Sequence, residues 1–369
     1  MRSQIFILAA RFLTAQMTLA DEIKFGFMGP VTGNEAGEMK MLTRAVELAA
    51  KQVNSNGGIG GKKIKIITAD TKSGPATALE AYEKLLKEEK VAAVIAPWKS
   101  AQIVAMVNAM KKGATPTIIG GTNPRLTEDG KWFFRTRPDD NIVAAAMVQY
   151  LKNEMKITKI GIVHDNGAFG YTGGNLVEKN AAQSGLQVVK RIGFELGARD
   201  FSNAMKSIKD AGAQALIVYA ANIGDQAAAE KEWAKIGRPF SYLGSPSSAS
   251  QTTIEDAAGA AEGVFAVVDF VFGQTPVNQK YADAFRADYH GEPDTIAAYA
   301  YDGMMILSNA MNKVGENKDK VREEIMGLNG YEGVVGKYSF APKGDGLHSV
   351  TIVKIQAGKP KAIKVVNVQ

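Results

Sequence analysis

Three histidines, His164, His290 and His348, are the side chains best suited to acid–base or metal chemistry near neutral pH, and none has a metal-ligand spacing such as H-E-x-x-H. His164, in "IVHDNGAFG", closes an apolar run beside Asp165, and two readings stand for it: a pocket residue, or a packed turn histidine. The chain has no cysteine, so disulfides, thiolate catalysis and Cys-based zinc sites are excluded. "GFMGPVTG" lacks the G-x-G-x-x-G spacing. "GGIGGKK" sits between a helical and an extended run, the wrong order for a phosphate loop, and lacks the Ser or Thr after Lys. No G-x-S-x-G elbow occurs. With no nucleophile beside its base, the expectation is a protein that is not an enzyme and carries no cofactor or metal.

What remains is chemistry for holding an anion. "VIAPWKSAQIV" ends an extended run at Ala96 and starts a helical one near Ser100, and "IIGGTNPRLT" ends the next at Ile119. As N-cap, Ser100 would accept a backbone N–H of the first turn; alternatively the same helix N-terminus, with its free amides and partial positive charge, receives an anionic ligand. Gly120 and Gly121 leave their backbone amides unscreened, and Thr122 adds a hydroxyl donor beside them. A simple turn and a carboxylate cradle both fit this stretch.

The elements that position these residues alternate regularly. "IKFGFMG" reads as a strand, and the next segment carries Met39, Leu42, Val46, Ala49 and Val53 at helical period. "KIKIITAD", a helix opening at Pro75 and "VAAVIA" complete a βαβαβ run. Helices over 100–112, 140–154, 171–184, 201–212 and 225–236 then alternate with "TPTIIG", "KIGIVHD", "VVKRIGFE", "ALIVYA" and "SYLG". Apolar strands between amphipathic helices predict parallel sheets covered on both faces, where ligands sit beyond the carboxyl ends of the strands. "FFRTRPDDN", polar and holding Pro138, is the expected break between domains.

A chain of 369 residues predicts two domains, and 46% hydrophobic with 22% charged residues marks a globular protein. The opening "MRSQIFILAARFLTAQMTLA" reads as a secretory signal over 1–20, cut after Ala20, with Thr18 and Ala20 as the small residues and Arg11 interrupting the apolar core. No later run reaches the roughly 20 apolar residues of a membrane span. The formal charge of +6 falls by two when Arg2 and Arg11 leave, and the remaining lysines lie among glutamates, as in "EAYEKLLKEEK", so a nucleic-acid partner is not expected.

The order and spacing of "GPVTGNEAGEMKMLTRAVELAAKQVNSNGGIGGKKIKIITADTKSGP", "GGTNPRLT", "FRTRPDDN", "GIVHDNGAFGYTGGNLV", "GFELGARDFSNAMKSIKDAGAQALIVYA", "AAYAYDGMMIL" and "YEGVVGKYSFAPKGDG" carry a resemblance over nearly the full length. The chain resembles the type I periplasmic solute-binding proteins of ABC importers, the branched-chain amino-acid (Leu/Ile/Val) binding family. That resemblance implies an α/β fold of two doubly wound parallel-sheet lobes joined by a three-crossing hinge, a Venus-flytrap. It divides the mature chain into lobe 1, residues 21–138 and 268–346, and lobe 2, residues 139–267 and 347–369. It implies a periplasmic, monomeric protein that hands a small amino acid or carboxylate to an inner-membrane ABC permease. In the family, the positions matching Ser100 and Gly120–Thr122 hold the ligand carboxylate.

The candidate ligand-binding residues are accordingly Trp98, Ser100, Gly121, Thr122, Phe169, Asn222 and Ser247. Phe169 matches an aromatic position flanking the ligand, whereas Ala36 replaces a common aromatic. The acidic residue that pairs with a ligand ammonium in branched-chain binders is missing after "SYLG", where the chain reads "GSPSSAS" and supplies hydroxyls. Glu35, Asp165 or Asp225 could reach in from another loop, although Asp225 also suits the N-cap of its own helix. Trp98 either packs within its lobe or stacks on a flat ligand, and Lys99 is either solvent-exposed or paired with a carboxylate. A branched-chain amino acid and a non-amino-acid carboxylate, aromatic or aliphatic, are both open. A sensor domain of the same fold and an α/β enzyme are the disfavoured alternatives.

Overall fold

The computed structural model describes residues 22–33, 36–128, 130–340 and 342–368. The expected signal segment and Glu35 lie outside the described residues. The chain opens with β1 (Glu22–Gly29), α1 (Ala36–Ser55), β2 (Lys63–Asp70), α2 (Pro75–Lys87), β3 (Ala93–Ile95), α3 (Ser100–Gly113), β4 (Thr117–Ile119) and β5 (Phe133–Arg135). These strands form one parallel sheet in the order β2-β1-β3-β4-β5. β3, β4 and β5 are buried at every position, as a strand covered by helices on both faces must be. Side-chain alternation in β1 divides the core: Phe25 and Phe27 pack on one face of the sheet and Met28 on the other.

The chain then passes into a second lobe, with α4 (Asp140–Asn153), β6 (Lys159–Asp165), α5 (Ala168–Ser184), β7 (Gln187–Phe194), α6 (Ser202–Asp210), β8 (Ala215–Tyr219), α7 (Ile223–Lys235), β9 (Ser241–Gly244), α8 (Gln251–Ala257) and β10 (Phe265–Val268). It returns to cover the first sheet with α9 (Pro276–Tyr289), α10 (Ala298–Val314), α11 (Lys318–Met326) and the small hairpin β11 (Asn329–Glu332) and β12 (Lys337–Ser339). A third passage leads to β13 (Ser349–Gln356) and β14 (Lys359–Asn367). The second sheet runs β14-β13-β10-β9-β8-β6-β7. Its strands from β10 to β7 are parallel, but β13 pairs antiparallel with both β10 and β14. The second lobe is therefore not wholly parallel. Its last strands are joined by a two-residue turn, Ala357 and Gly358, both at positive φ, and a tight hairpin can only be antiparallel.

Two capping expectations are corrected. Ser100 is the first helical residue of α3, Lys99 holds the cap position without capping the helix through its side chain, and Ser100 Oγ instead accepts the Asn123 amide at 3.3 Å. Asp225 is not the N-cap of α7, which is Asn222. It lies inside the first turn and accepts Gly197 N at 3.0 Å and Arg199 Nη1 at 3.1 Å. α5 begins at Ala168 rather than near 171, because the Asp165 carboxylate accepts the amides of Gly167 and Gly170 and starts the helix early.

Candidate functional site

The carboxyl ends of both sheets face each other across a cavity of about 200 Å³. From the first lobe, Trp98, Ser100 and Thr122 line it; from the second, Phe169, Asn222 and Ser247 do. Six of the seven residues singled out in the sequence thus share one cavity. Gly121 does not line it. A Cβ there would lie 2.6 Å from Ile103 Cδ1 and 3.2 Å from Ser100 Cα, so this glycine lets the turn press against α3. Gly120 has a similar cause: a Cβ would sit 2.4 Å from the ring of Tyr299, whose hydroxyl donates to Ala96 O at 3.0 Å.

Thr122 has a partner within the protein as well as a place on the wall. Its hydroxyl acts on the fully buried Asp140 carboxyl, which also accepts Tyr219 OH at 2.7 Å. Burial pushes Asp140 up to about 6 in spite of those bonds. Trp98 packs into the first lobe's core while lining the cavity, with Lys99 Nζ 5.6 Å from its ring centre. Lys99 is buried rather than exposed and reaches Ala221 O of the other lobe at 3.5 Å. Phe169 leans on Tyr219, their ring centres 4.8 Å apart.

The hydroxyls of "GSPSSAS" turn away from the cavity. Ser245 and Ser247 donate to Ala220 O at 3.0 and 2.5 Å, and Ser248 donates to Gln226 Oε1 at 2.9 Å. Asp165 lines the cavity, but its Oδ1 accepts Gly167 N at 2.8 Å and Gly170 N at 3.3 Å, and its Oδ2 accepts Ala221 N at 2.8 Å. Ala36 and Asp225 do not reach the cavity. His164 is a packed residue: Arg191 Nε donates to its Nε2 at 3.0 Å, which leaves Nδ1 to donate to Asp165 O at 2.9 Å.

A match to the family model described as periplasmic binding protein spans residues 22–360. The chain belongs to the periplasmic binding protein family. It is 25% identical over 328 residues to a leucine-, isoleucine-, valine-, threonine- and alanine-binding protein of Pseudomonas aeruginosa, covering 88% of this chain and 87% of that one. The branched-chain amino acid transporter substrate-binding protein LivJ of Streptococcus pneumoniae, in complex with isoleucine, superposes with a TM-score of 0.87 at 25% identity, covering 94% of this chain and all of that one. A solute-binding protein from R. palustris in complex with benzoate has the same fold, with a TM-score of 0.84 at 21% identity over 93% of this chain and 96% of that one.

In this periplasmic binding protein, three site features escaped the sequence reading. Arg137 lines the cavity and is clamped to Asp269, with Nε 2.6 Å from Oδ2. Its position in the polar "FRTRPDDN" marked a boundary but gave no sign of where its side chain goes. Asn123 ties the lobes together, donating from Nδ2 to Ala168 O at 3.1 Å and Thr172 Oγ1 at 3.0 Å. Gln102, one turn into α3, lines the cavity with its Oε1 buried and without a hydrogen-bond partner among the described residues. An amide two residues after a helix start has no distinguishing pattern in sequence. No helix among the described residues is long and apolar enough to cross a membrane.

Proposed function

We propose that the protein is the extracytoplasmic substrate-binding component of an ABC importer, and that its ligand is a small carboxylate with a flat apolar body rather than an α-amino acid. The lobes, taken as 21–138 with 268–346 and 139–267 with 347–369, close on the ligand without reacting with it; β10 runs one residue past the boundary at 267. The exported, monomeric protein then presents the ligand to an inner-membrane permease.

The observation that carries the ligand class is the state of Asp165. It is the acidic side chain lining the cavity among the described residues, and three backbone amides already occupy its oxygens. The Ser247 hydroxyl is likewise committed to Ala220 O. An ammonium enclosed here would meet a carboxylate whose oxygens already accept three amides, which is expensive in a dry cleft, whereas a carboxylate meets Ser100, Thr122 and the cation Lys99, Arg137 being already paired with Asp269. Trp98 and Phe169 supply apolar surface for a flat body. Benzoate in the R. palustris protein is a ligand of this kind, and isoleucine in LivJ is the alternative.

Mass spectrometry of the small molecules released by denaturing natively purified protein tests this reading. Recovery of an acid without an α-amino group is expected. Recovery of leucine, isoleucine or valine would overturn the ligand class, and conversion of the bound compound on incubation would overturn the binding role.

A further inference from the structure

The cavity wall holds a polar atom whose bonding is unfinished. Gln102 lines the cavity from α3 and is 2% exposed, yet its Oε1 is buried without a hydrogen-bond partner. Among the described residues it is the one cavity-lining side chain in that condition. Other polar groups of the wall are employed within the protein: Ser100 Oγ accepts the Asn123 amide at 3.3 Å, Ser247 Oγ donates to Ala220 O at 2.5 Å, and Arg137 Nε donates to Asp269 Oδ2 at 2.6 Å.

Gln102 also has a local alternative that it does not take. Lys99 is the N-cap of α3, so Gln102 stands third in the helix, where a glutamine commonly turns back and accepts the N-cap amide. With Oε1 unpartnered, that bond is not made. A buried carbonyl oxygen is normally matched by a donor, and burying one alone is costly. The cavity is where such a donor can arrive.

A ligand carboxylate cannot be that donor, because an ionised carboxylate only accepts. An ammonium could donate, but a neutral amide oxygen does not compensate a buried charge, and the Asp165 oxygens already accept three amides. A neutral hydroxyl matches a neutral acceptor. We propose that Gln102 is a specificity-determining residue of the cavity, and that the ligand is a hydroxylated acid whose hydroxyl donates to Gln102 Oε1. This rests on the carboxylate reading of the cavity and deepens it: Ser100 and Thr122 receive the carboxylate, and Gln102 reads a hydroxyl on the flat body. On a benzoate ring that hydroxyl lies meta or para, since an ortho hydroxyl donates to its own carboxylate.

Isothermal titration calorimetry with benzoate and its 2-, 3- and 4-hydroxy derivatives tests this on the wild type and on Gln102→Met, which keeps the length of the side chain and removes the acceptor. The 3- or the 4-hydroxy acid should bind the wild type at least roughly tenfold more tightly than benzoate and the 2-hydroxy acid do. In Gln102→Met that preference should vanish, with benzoate bound as tightly as by the wild type. Equal affinity of the wild type for all four acids would overturn the proposal, as would a preference that survives in Gln102→Met. Failure of all four acids to bind, with leucine bound instead, would overturn the carboxylate reading itself and this inference with it. Should Gln102→Met fold poorly, carbon NMR of the wild type decides: the Gln102 Cδ resonance should move downfield with the favoured hydroxy acid and stay in place with the fluoro acid of the same substitution pattern, which has similar size and no donor. The same response to both acids would contradict the proposal.

Discussion

Arg137 and Asp269 face each other across the two passages that lead out of and back into the first lobe, with Nε 2.6 Å from Oδ2 and Nη2 3.2 Å from Oδ1. Both side chains are buried, and Arg137 Nη1 also donates to Gly120 O at 3.2 Å, where β4 ends. One guanidinium therefore joins the hinge, the turn beside the cavity and the cavity wall. A two-pronged guanidinium–carboxylate pair fixes angle as well as distance, so it holds the two passages in one relative geometry.

Removing one partner leaves a charge buried without compensation. Asp269→Ala should lower the unfolding free energy by about 3–5 kcal/mol, and the double variant Arg137→Met with Asp269→Leu should recover part of the loss. Urea unfolding of the three proteins checks this. A loss below about 1 kcal/mol in Asp269→Ala would place the pair among the weak, solvent-screened ones.

Asn123 bonds across the two lobes, to Ala168 O and Thr172 Oγ1. Asn123→Asp keeps the oxygen that accepts Arg125 N but removes the two donors to Ala168 O and Thr172 Oγ1. Each such bond contributes about 0.5–1.5 kcal/mol, so ligand affinity should fall roughly tenfold or more. Small-angle scattering of the ligand-free variant should show a larger radius of gyration than the wild type. An unchanged radius and affinity would mean that these bonds do not set the closed state.

The paired glycines after β4 offer a sharp separation of packing from binding. Gly120→Ala brings a Cβ to 2.4 Å from the Tyr299 ring, a contact that must be relieved by moving a buried tyrosine. The ligand-free protein should lose about 1–3 kcal/mol, measured by urea unfolding. Unaltered ligand-free stability with weakened binding would restore the view that this glycine is kept bare for the ligand.

The alternation of strands and helices was legible because buried parallel strands and amphipathic helices leave different hydrophobic periods, as in β8 and α1. The rule that ligands sit beyond strand carboxyl ends pointed to Ser100 and Thr122, the resemblance to a family position supplied Phe169, and with Trp98, Asn222 and Ser247 they share one cavity. What sequence could not reveal was the direction of side chains. Ser100 and Asp225 both look like caps, yet each is drawn to a loop distant in sequence, Asn123 and Gly197 respectively. The serines after β9 look like ligand donors, but the free carbonyl of Ala220 lies closer and takes two of them. The antiparallel hairpin β13–β14 was hidden because its turn, Ala357-Gly358, lacks the Asn-Gly or Asp-Gly signal.

Asp140 gives stability a pH dependence of defined sign. Burial lifts its carboxyl from 3.8 to about 6, so its contribution is complete below about pH 3.8 and is lost as pH rises through about 6. Asp302, also buried and lifted to about 6, acts in the same sense. Asp140→Asn should therefore reduce, without abolishing, the slope of unfolding free energy between about pH 4 and 7. An undiminished slope in the variant would show that Asp140 is ionised throughout that range.

The central claim is that this cleft holds a carboxylate and has no place for an ammonium. Isothermal titration calorimetry of matched pairs tests it most directly: leucine against 4-methylpentanoate, valine against 3-methylbutanoate, phenylalanine against 3-phenylpropanoate, with benzoate as the flat aromatic acid. The account predicts that a deaminated acid binds and that its amino-acid counterpart binds at least roughly a hundredfold more weakly, the cost of enclosing an unpaired ammonium. Tight binding of leucine or valine, with none of the corresponding deaminated acid, would contradict it.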